Sequence, residues 1–264
     1  MTVKAGAQVA RLSGTVGARI DGVDVRDLDE RTFAWLKEQL LRHHVLVFPA
    51  QVLTPEDEVA FARRWGPISI HPYVEPLDGH PEVLEVVDPT NRIASQWHQD
   101  QTYVERPPAI TMLMSRVLPD AGGDTMFANQ HVAFEELSHG MRQLLLGLRA
   151  VHRGTERAAD AGLSRVDVEH SHPVAPRHPV SGRRALFVNP DYTVRIEGWT
   201  DAESRPLLDY LYRWSSRPEL TCRHTWAMGD FVLWDNRSLL HCVVPDATGP
   251  RLLHKVTVAG DVPR

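Results

Sequence analysis

The residues that could do chemistry begin at Trp97-His98-Gln99-Asp100. In an extended segment side chains alternate, so His98 and Asp100 project from the same face, about 6.6–7 Å apart along the strand. An imidazole and a carboxylate so placed can reach one cation. Among 14 His and 34 acidic residues a single His-x-Asp is expected by chance, so this pair alone does not establish a metal site. A third donor lies far along the chain, where Trp234-Asp235-Asn236-Arg237 ends a strand in a polar turn and His241 follows. Two His and one carboxylate on one face of an octahedron leave the opposite face open, which suits a non-haem Fe(II) that must also take a co-substrate and oxygen. Zinc with the same ligands would be tetrahedral and closer to hydrolytic work. Taken alone, His241 also fits as a structural His with its hydrogen bonds satisfied.

Further on comes Arg251-Leu252-Leu253-His254-Lys255-Val256-Thr257-Val258, a strand by composition. Alternation puts Arg251, Leu253, Lys255 and Thr257 on one face and Leu252, His254, Val256 and Val258 on the other. Two cations facing inward need anionic partners. A guanidinium matches a carboxylate with two bonds, whereas an ammonium is a point charge. The alternative is an exposed edge strand defended by cations.

The elements that must position these residues are short strands with a few helices between them. Helices are expected over residues 29–42, from Thr54 as N-cap to about residue 65, over 132–146, and over 201–214 capped by Thr200. Strands are expected over 45–48, 83–87, 110–117, 125–128, 149–152, 185–188, 221–226, 231–234 and 252–258, bounded by Gly, Pro, Asn or Asp. This pattern points to a mainly β fold, a sandwich or jelly roll with inserted helices, rather than to βαβ units. No G-x-G-x-x-G or P-loop motif supports a nucleotide fold. Two weakly periodic stretches, about 72–95 and 154–177, are expected as lids over a site within a single domain spanning residues 1–264.

Composition narrows the partners. The chain of 264 residues is 42% hydrophobic and 24% charged with a net charge of -5, so nucleic acid and anionic membrane surfaces lack a basic footprint. Two cysteines, Cys222 and Cys242, and a start without an apolar leader suggest a reducing, cytoplasmic setting, with Cys242 a buried thiol. Trp65, Trp199, Trp214 and Trp226 read as packing residues, and His170, His172 and His178 as surface or lid residues.

Together, His98-x-Asp100, His241 and Arg251 resemble the taurine/2,4-dichlorophenoxyacetate dioxygenase family of Fe(II)- and 2-oxoglutarate-dependent oxygenases. Gly122-Gly123-Asp124-Thr125, His178-Pro179-Val180-Ser181-Gly182, Ala185-Leu186-Phe187-Val188-Asn189 and Trp234-Asp235-Asn236-Arg237 match its pattern in the same order along nearly the whole chain. The resemblance implies a double-stranded β-helix (jelly-roll) core with helices outside it. It implies that His98, Asp100 and His241 hold the iron, and that Arg251 and Thr125 bind 2-oxoglutarate. The implied reaction hydroxylates a substrate C–H with O2, giving succinate and CO2, and the implied assembly is a homo-oligomer. A cupin-type zinc hydrolase or isomerase would leave Thr125 and Arg251 unexplained, and a non-catalytic jelly-roll binding protein would have no need of all three ligands plus Arg251.

The resemblance also marks residues for substrate. Lys255 stands where the family has a second Arg that grips the substrate anion, His71 matches a substrate-contacting His, and Tyr192 matches an aromatic over the substrate. Ala94 replaces an Asn of the taurine-acting relatives, and Arg157 and Ala158 replace a small polar residue and an aromatic in the lid region. These departures point away from taurine toward another small anion: a sulfonate, alkyl sulfate, aryloxyalkanoate or carboxylate-bearing metabolite.

Overall fold

In the computed structural model, which describes residues 6–71, 74–87, 94–154 and 168–264, the alternation read from the strands divides their side chains between two cores. Leu46, Phe48, Met112, Phe231, Leu233 and Val256 point to one, while Val45, Val47, Leu113, Val232, Trp234 and Leu253 point to the other. These residues belong to an eight-stranded sheet ordered Gln8–Arg11, Ala18–Asp21, Val45–Phe48, Phe231–Asp235, Ile110–Val117, Leu252–Val258, His80–Val87 and Pro76–Leu77. Its central strands are buried on both faces, so their sequences run nearly continuously apolar.

Helices Glu30–His43 and Pro55–Arg63 cover one face of this sheet. The first is capped by Asp29, whose side chain accepts from Thr32 N at 2.6 Å, and it buries Phe33, Leu36 and Leu40. The second carries a capping box in which Thr54 and Asp57 satisfy each other's backbone N–H groups, and it buries Val59, Phe61 and Ala62. The opposite face packs on a three-stranded sheet ordered Thr221–His224, Thr125–Asn129 and Leu239–Val243, which contributes Phe127, Cys222 and Leu239 to the shared core. Another three-stranded sheet, Thr193–Ile196, Arg149–Arg153 and Glu169–Pro173, packs with helices Gln130–Glu135, His139–Leu146 and Asp201–Ser215 around Leu186, Leu208 and Leu211. No helix among the described residues is long and apolar enough to cross a membrane.

Several expectations need correction. The apolar run 185–188 is not a laddered strand; its N–H groups go to Pro176, Gln130 and Val174, and it is apolar because it is buried. The single helix expected over 132–146 is two, because Ser138 caps a new start by accepting from Met141 N. The described parts of the expected lids include strands His80–Val87 and Glu169–Pro173, while 72–73, 88–93 and 155–167, with Arg157 and Ala158, lie outside the described residues. Leu252–Val258 is not a sheet edge, since it pairs with Ile110–Val117 on one side and His80–Val87 on the other. Its inward cations therefore need partners within the molecule. His172 and His178 are buried, not surface residues, and His170 is half-buried.

Candidate metal centre and co-substrate pocket

The polar turn after Phe231–Asp235 brings the distant donors together. Asp235 is buried and receives Arg237 through two bonds of 2.8 and 2.6 Å, and His178 Nε2 lies 2.9 Å from it. Because His178 Nδ1 accepts from the Val180 and Ser181 N–H groups, Nε2 carries the proton and donates to Asp235. Burial opposes the charge on Asp235, but Arg237 and His178 outweigh it and hold the carboxyl far below its usual range. With the turn fixed, Leu239–Val243 returns along Thr125–Asn129, with His241 opposite Phe127 and Val243 opposite Thr125.

The segment carrying His98 then adds to the free edge of Leu239–Val243. His98 N donates to His241 O at 2.9 Å, His241 N donates to His98 O at 2.8 Å, and Val243 N donates to Ala94 O at 2.8 Å. This pairing sets the two imidazoles against each other, with ring centroids 4.1 Å apart. Asp100 Oδ1 lies 3.7 Å from Nε2 of each His, and the three donors all fall within 4.8 Å of one another. His98 Nδ1 is 2.8 Å from Gln96 O, which fixes the N–H there and leaves Nε2 as the lone-pair donor facing Asp100.

The other oxygen of Asp100 is held from behind. Thr111 Oγ1 donates to Oδ2 at 2.7 Å, and Lys255 Nζ lies 3.0 Å from it. Desolvation raises the carboxyl, but Lys255, His241, His98 and the Thr111 hydroxyl together bring it far below its usual range. The anionic partner that the inward face of the 252–258 strand required is thus, for Lys255, Asp100 itself.

Thr125 and Arg251 meet beside this centre. Gly122 and Gly123 sit at φ 76° and 71°, conformations that glycine adopts without strain. A Cβ at Gly123 would stand 3.0 Å from Arg251 Cδ, so the turn makes room for the buried Arg251 side chain. Asp246 anchors the turn by accepting from Gly123 N at 2.9 Å, and Asp124 is bound by Arg223 at 2.5 Å and Thr225 at 2.9 Å. Trp226 ties the pair together: its Nε1 donates to Thr125 Oγ1 at 3.1 Å, and its ring centroid lies 5.8 Å from Arg251 Cζ. The packing role expected of Trp226 is therefore only part of what it does, and nothing in its sequence neighbourhood signalled the rest.

A cavity of about 320 Å³ joins these groups. His98, Asp100, His241, Thr125, Arg251, Tyr192 and Lys255 line it with Ala94, Val74, Leu84, Val86, Leu113 and Val243. Tyr192 packs edge-on to His98 at 6.3 Å and against Tyr103 at 5.1 Å. His71 does not line the cavity, but it is half-buried near Lys255; burial and then that ammonium, opposed by Asp100, lower its pKa to about 4. The sequence reading missed the contacts that Thr111 makes with Asp100 and Trp226 with Thr125. A threonine at an inward position of the apolar strand Ile110–Val117 was the one available signal for Thr111. Cys242 is buried as expected, which pushes its thiol up to about 12.

Residues 8–257 match the family described as Taurine catabolism dioxygenase TauD, TfdA family, and the chain belongs to it. It is 36% identical over 270 residues to an alpha-ketoglutarate-dependent sulfate ester dioxygenase of Pseudomonas putida, covering 96% of this chain and 89% of that one. It is 32% identical over 247 residues to an alpha-ketoglutarate-dependent 2,4-dichlorophenoxyacetate dioxygenase of a Burkholderia species, covering 82% of each. The crystal structure of a taurine dioxygenase from Burkholderia xenovorans superposes with a TM-score of 0.87 at 36% identity, over 98% of this chain and 92% of that one. The protein is a 2-oxoglutarate-dependent dioxygenase whose reaction uses Fe(II), 2-oxoglutarate and O2. The zinc hydrolase and non-catalytic readings are set aside.

Proposed function

We propose that His98, Asp100 and His241 hold the ferrous ion, that Arg251 and Thr125 bind the distal carboxylate of 2-oxoglutarate, and that the enzyme hydroxylates a small organic anion with an apolar body. The observation that carries this reading is the opening of one cavity onto a two-His, one-carboxylate donor set and a buried guanidinium. The donor set fits the metal: two imidazoles and a single carboxylate oxygen leave positions for a chelating co-substrate and for oxygen. When bound, the ferrous ion supplies oxygen activation driven by oxidative decarboxylation of 2-oxoglutarate to succinate and CO2.

The residues of the chain do the rest. Arg251 offers the fork that a carboxylate accepts with two bonds. Thr125, its oxygen already accepting from Trp226, directs its own proton to the co-substrate. Leu84 and Val86, on the strand paired beside the one that carries Lys255, line the cavity with Ala94, Val74 and Val243 and give that cation mostly apolar surroundings, with His71 near the ammonium and Tyr192 packed edge-on to His98. That combination favours an anionic head on an alkyl or aryl body over a zwitterion such as taurine. Relatives named for sulfate esters and for 2,4-dichlorophenoxyacetate handle anions of this kind. Hydroxylation at the carbon bearing the heteroatom gives a product that falls apart, releasing the anion.

In this reading the eight-stranded sheet and the three-stranded sheet facing it form a double-stranded β-helix. The chain works as one domain, and the homo-oligomer and cytoplasmic setting inferred above complete the picture. Succinate release from the iron-loaded enzyme, measured across alkyl sulfates, sulfonates, aryloxyalkanoates and amino acids, tests the proposal. Substrate-dependent succinate with apolar-bodied anions is expected. Turnover of taurine in preference to every such anion would overturn the substrate assignment, and unchanged turnover in Arg251→Ala and His241→Ala would overturn the site.

A further inference from the structure

The Asp100 carboxylate uses its two oxygens differently, and this asymmetry has a built cause. Oδ1 faces the two imidazoles at 3.7 Å from each Nε2. Oδ2 faces the opposite way, 2.7 Å from Thr111 Oγ1 and 3.0 Å from Lys255 Nζ. We propose that Thr111 and Lys255 are positioning residues that clamp Oδ2 of Asp100, so that Oδ1 alone is presented to the metal. The inference rests on the metal reading above and deepens it.

The Thr111 arm has a fixed polarity. Trp234 Nε1, which can only donate, gives its proton to Asn236 Oδ1 at 2.9 Å. Asn236 Nδ2 then donates to Thr111 Oγ1 at 2.7 Å. With its oxygen occupied as acceptor, the Thr111 hydroxyl aims its proton at Asp100. Trp234, Asn236 and Thr111 are all buried, so water does not compete for these bonds.

Both arms start from strand register. Thr257 stands opposite Thr111 and Lys255 opposite Leu113 across two neighbouring strands, so Lys255 and Thr111 leave the sheet on the same inner face, two residues apart along it. The clamp has a chemical consequence: a carboxylate held by one oxygen takes one coordination position, and the positions that a chelating co-substrate and oxygen need stay free. It also explains how Lys255 serves two ends, since an ammonium has three protons and Asp100 takes one, leaving others for the substrate anion.

The test is metal binding by the full-length chain, with Co(II) as the probe. Binding is measured anaerobically by chelator competition, with the visible cobalt spectrum recorded alongside. Thr111→Val, which keeps the shape and removes the proton, and Lys255→Met, which keeps the stem and removes the charge, should each weaken Co(II) binding about 10–100-fold. Each should also alter the cobalt spectrum, whereas Thr111→Ser should bind like wild type. Should Lys255→Met fail to fold, the Thr111→Val and Thr111→Ser pair carries the test. Unchanged Co(II) affinity and spectrum in Thr111→Val and Lys255→Met, with the Lys255→Met defect confined to KM for the substrate, would overturn the clamp and leave the metal site standing. A wild type that binds no Co(II), or binds it equally well as Asp100→Ala, would overturn the metal reading itself.

Discussion

Gly123→Ala is the most informative single change outside the donor set. The added Cβ would lie 3.0 Å from Arg251 Cδ, 3.2 Å from Ala247 Cβ and 3.4 Å from Arg251 Nε. Contacts this close force a shift of a few tenths of an ångström or more, and the guanidinium is the part that can move. Two effects follow. Alanine at a φ of 71° costs about 1–2 kcal/mol of stability, which for a chain of this size is a fall in Tm of roughly 2–8 °C. On the proposed placement of Arg251 on 2-oxoglutarate, losing one charge-assisted hydrogen bond costs about 1.5–3 kcal/mol, so KM for 2-oxoglutarate should rise roughly 10–100-fold. At saturating 2-oxoglutarate, kcat should stay within a few-fold of wild type. Succinate formation against 2-oxoglutarate concentration, with thermal unfolding in parallel, separates the two effects. Gly122→Ala is the control: its Cβ would meet the Asp246 carbonyl oxygen at 2.3 Å, a backbone group that cannot step aside, so folding should suffer first. A Gly123→Ala enzyme with the lower Tm but a KM for 2-oxoglutarate within twofold of wild type would refute the placement of Arg251 on the co-substrate.

Trp226→Phe removes the donor to Thr125 but keeps a ring near Arg251, and KM for 2-oxoglutarate should rise about 3–10-fold, the worth of one neutral hydrogen bond; an unchanged value counts against the coupling. Burial, aided by neighbouring cationic groups, lowers the pKa of His44 to about 3 and of His131 to about 4, although Asp235 and, for His131, the Arg184 carbonyl oppose this. The unfolded chain takes up these protons near pH 6.5 and the folded one does not, so stability is full above about pH 6.5 and falls as pH drops toward 4 and then 3. Each group contributes about 1.4 kcal/mol per pH unit in that window. His44→Asn, which suits the left-handed backbone there, should flatten the pH profile of urea midpoints; a parallel profile rejects the assignment. Glu58 is buried, receives the partly exposed Arg116 and lies 3.2 Å from His254, so Glu58→Ala should cost about 1.5–3 kcal/mol in urea unfolding, read as a lower midpoint at an unchanged slope.

What could be read from the sequence was whatever periodicity and spacing encode. The alternation of Arg251, Leu253 and Lys255 against Leu252 and His254 defined two faces, and those faces are the ones observed. The caps at Thr54 and Thr200 placed helix starts correctly because a cap is satisfied by neighbours within one turn. His98, Asp100, His241, Thr125 and Arg251 stood out through motif spacing and family likeness, and all line one cavity. The apolar run 185–188 misled because burial, which makes a segment apolar, does not say whether its N–H groups join a ladder. His172 and His178 read as surface residues because the groups that satisfy them, Val104 O and Asp235, are remote in the chain.

The sequence by itself determined which side chains share a strand face and where the helices begin, since these depend on neighbours a few positions away, while the expectation of a metal and a dicarboxylate came from family likeness along the whole chain. The tertiary structure alone decided which oxygen of Asp100 faces the imidazoles, that Lys255 reaches that same carboxylate, and that Trp226 joins Thr125 to Arg251. These contacts join distant residues: Asp100 and Lys255 are 155 positions apart, and Thr125 and Trp226 are 101 apart. Strand register and the packing of two sheets set them, and neither is written in any local stretch of the chain.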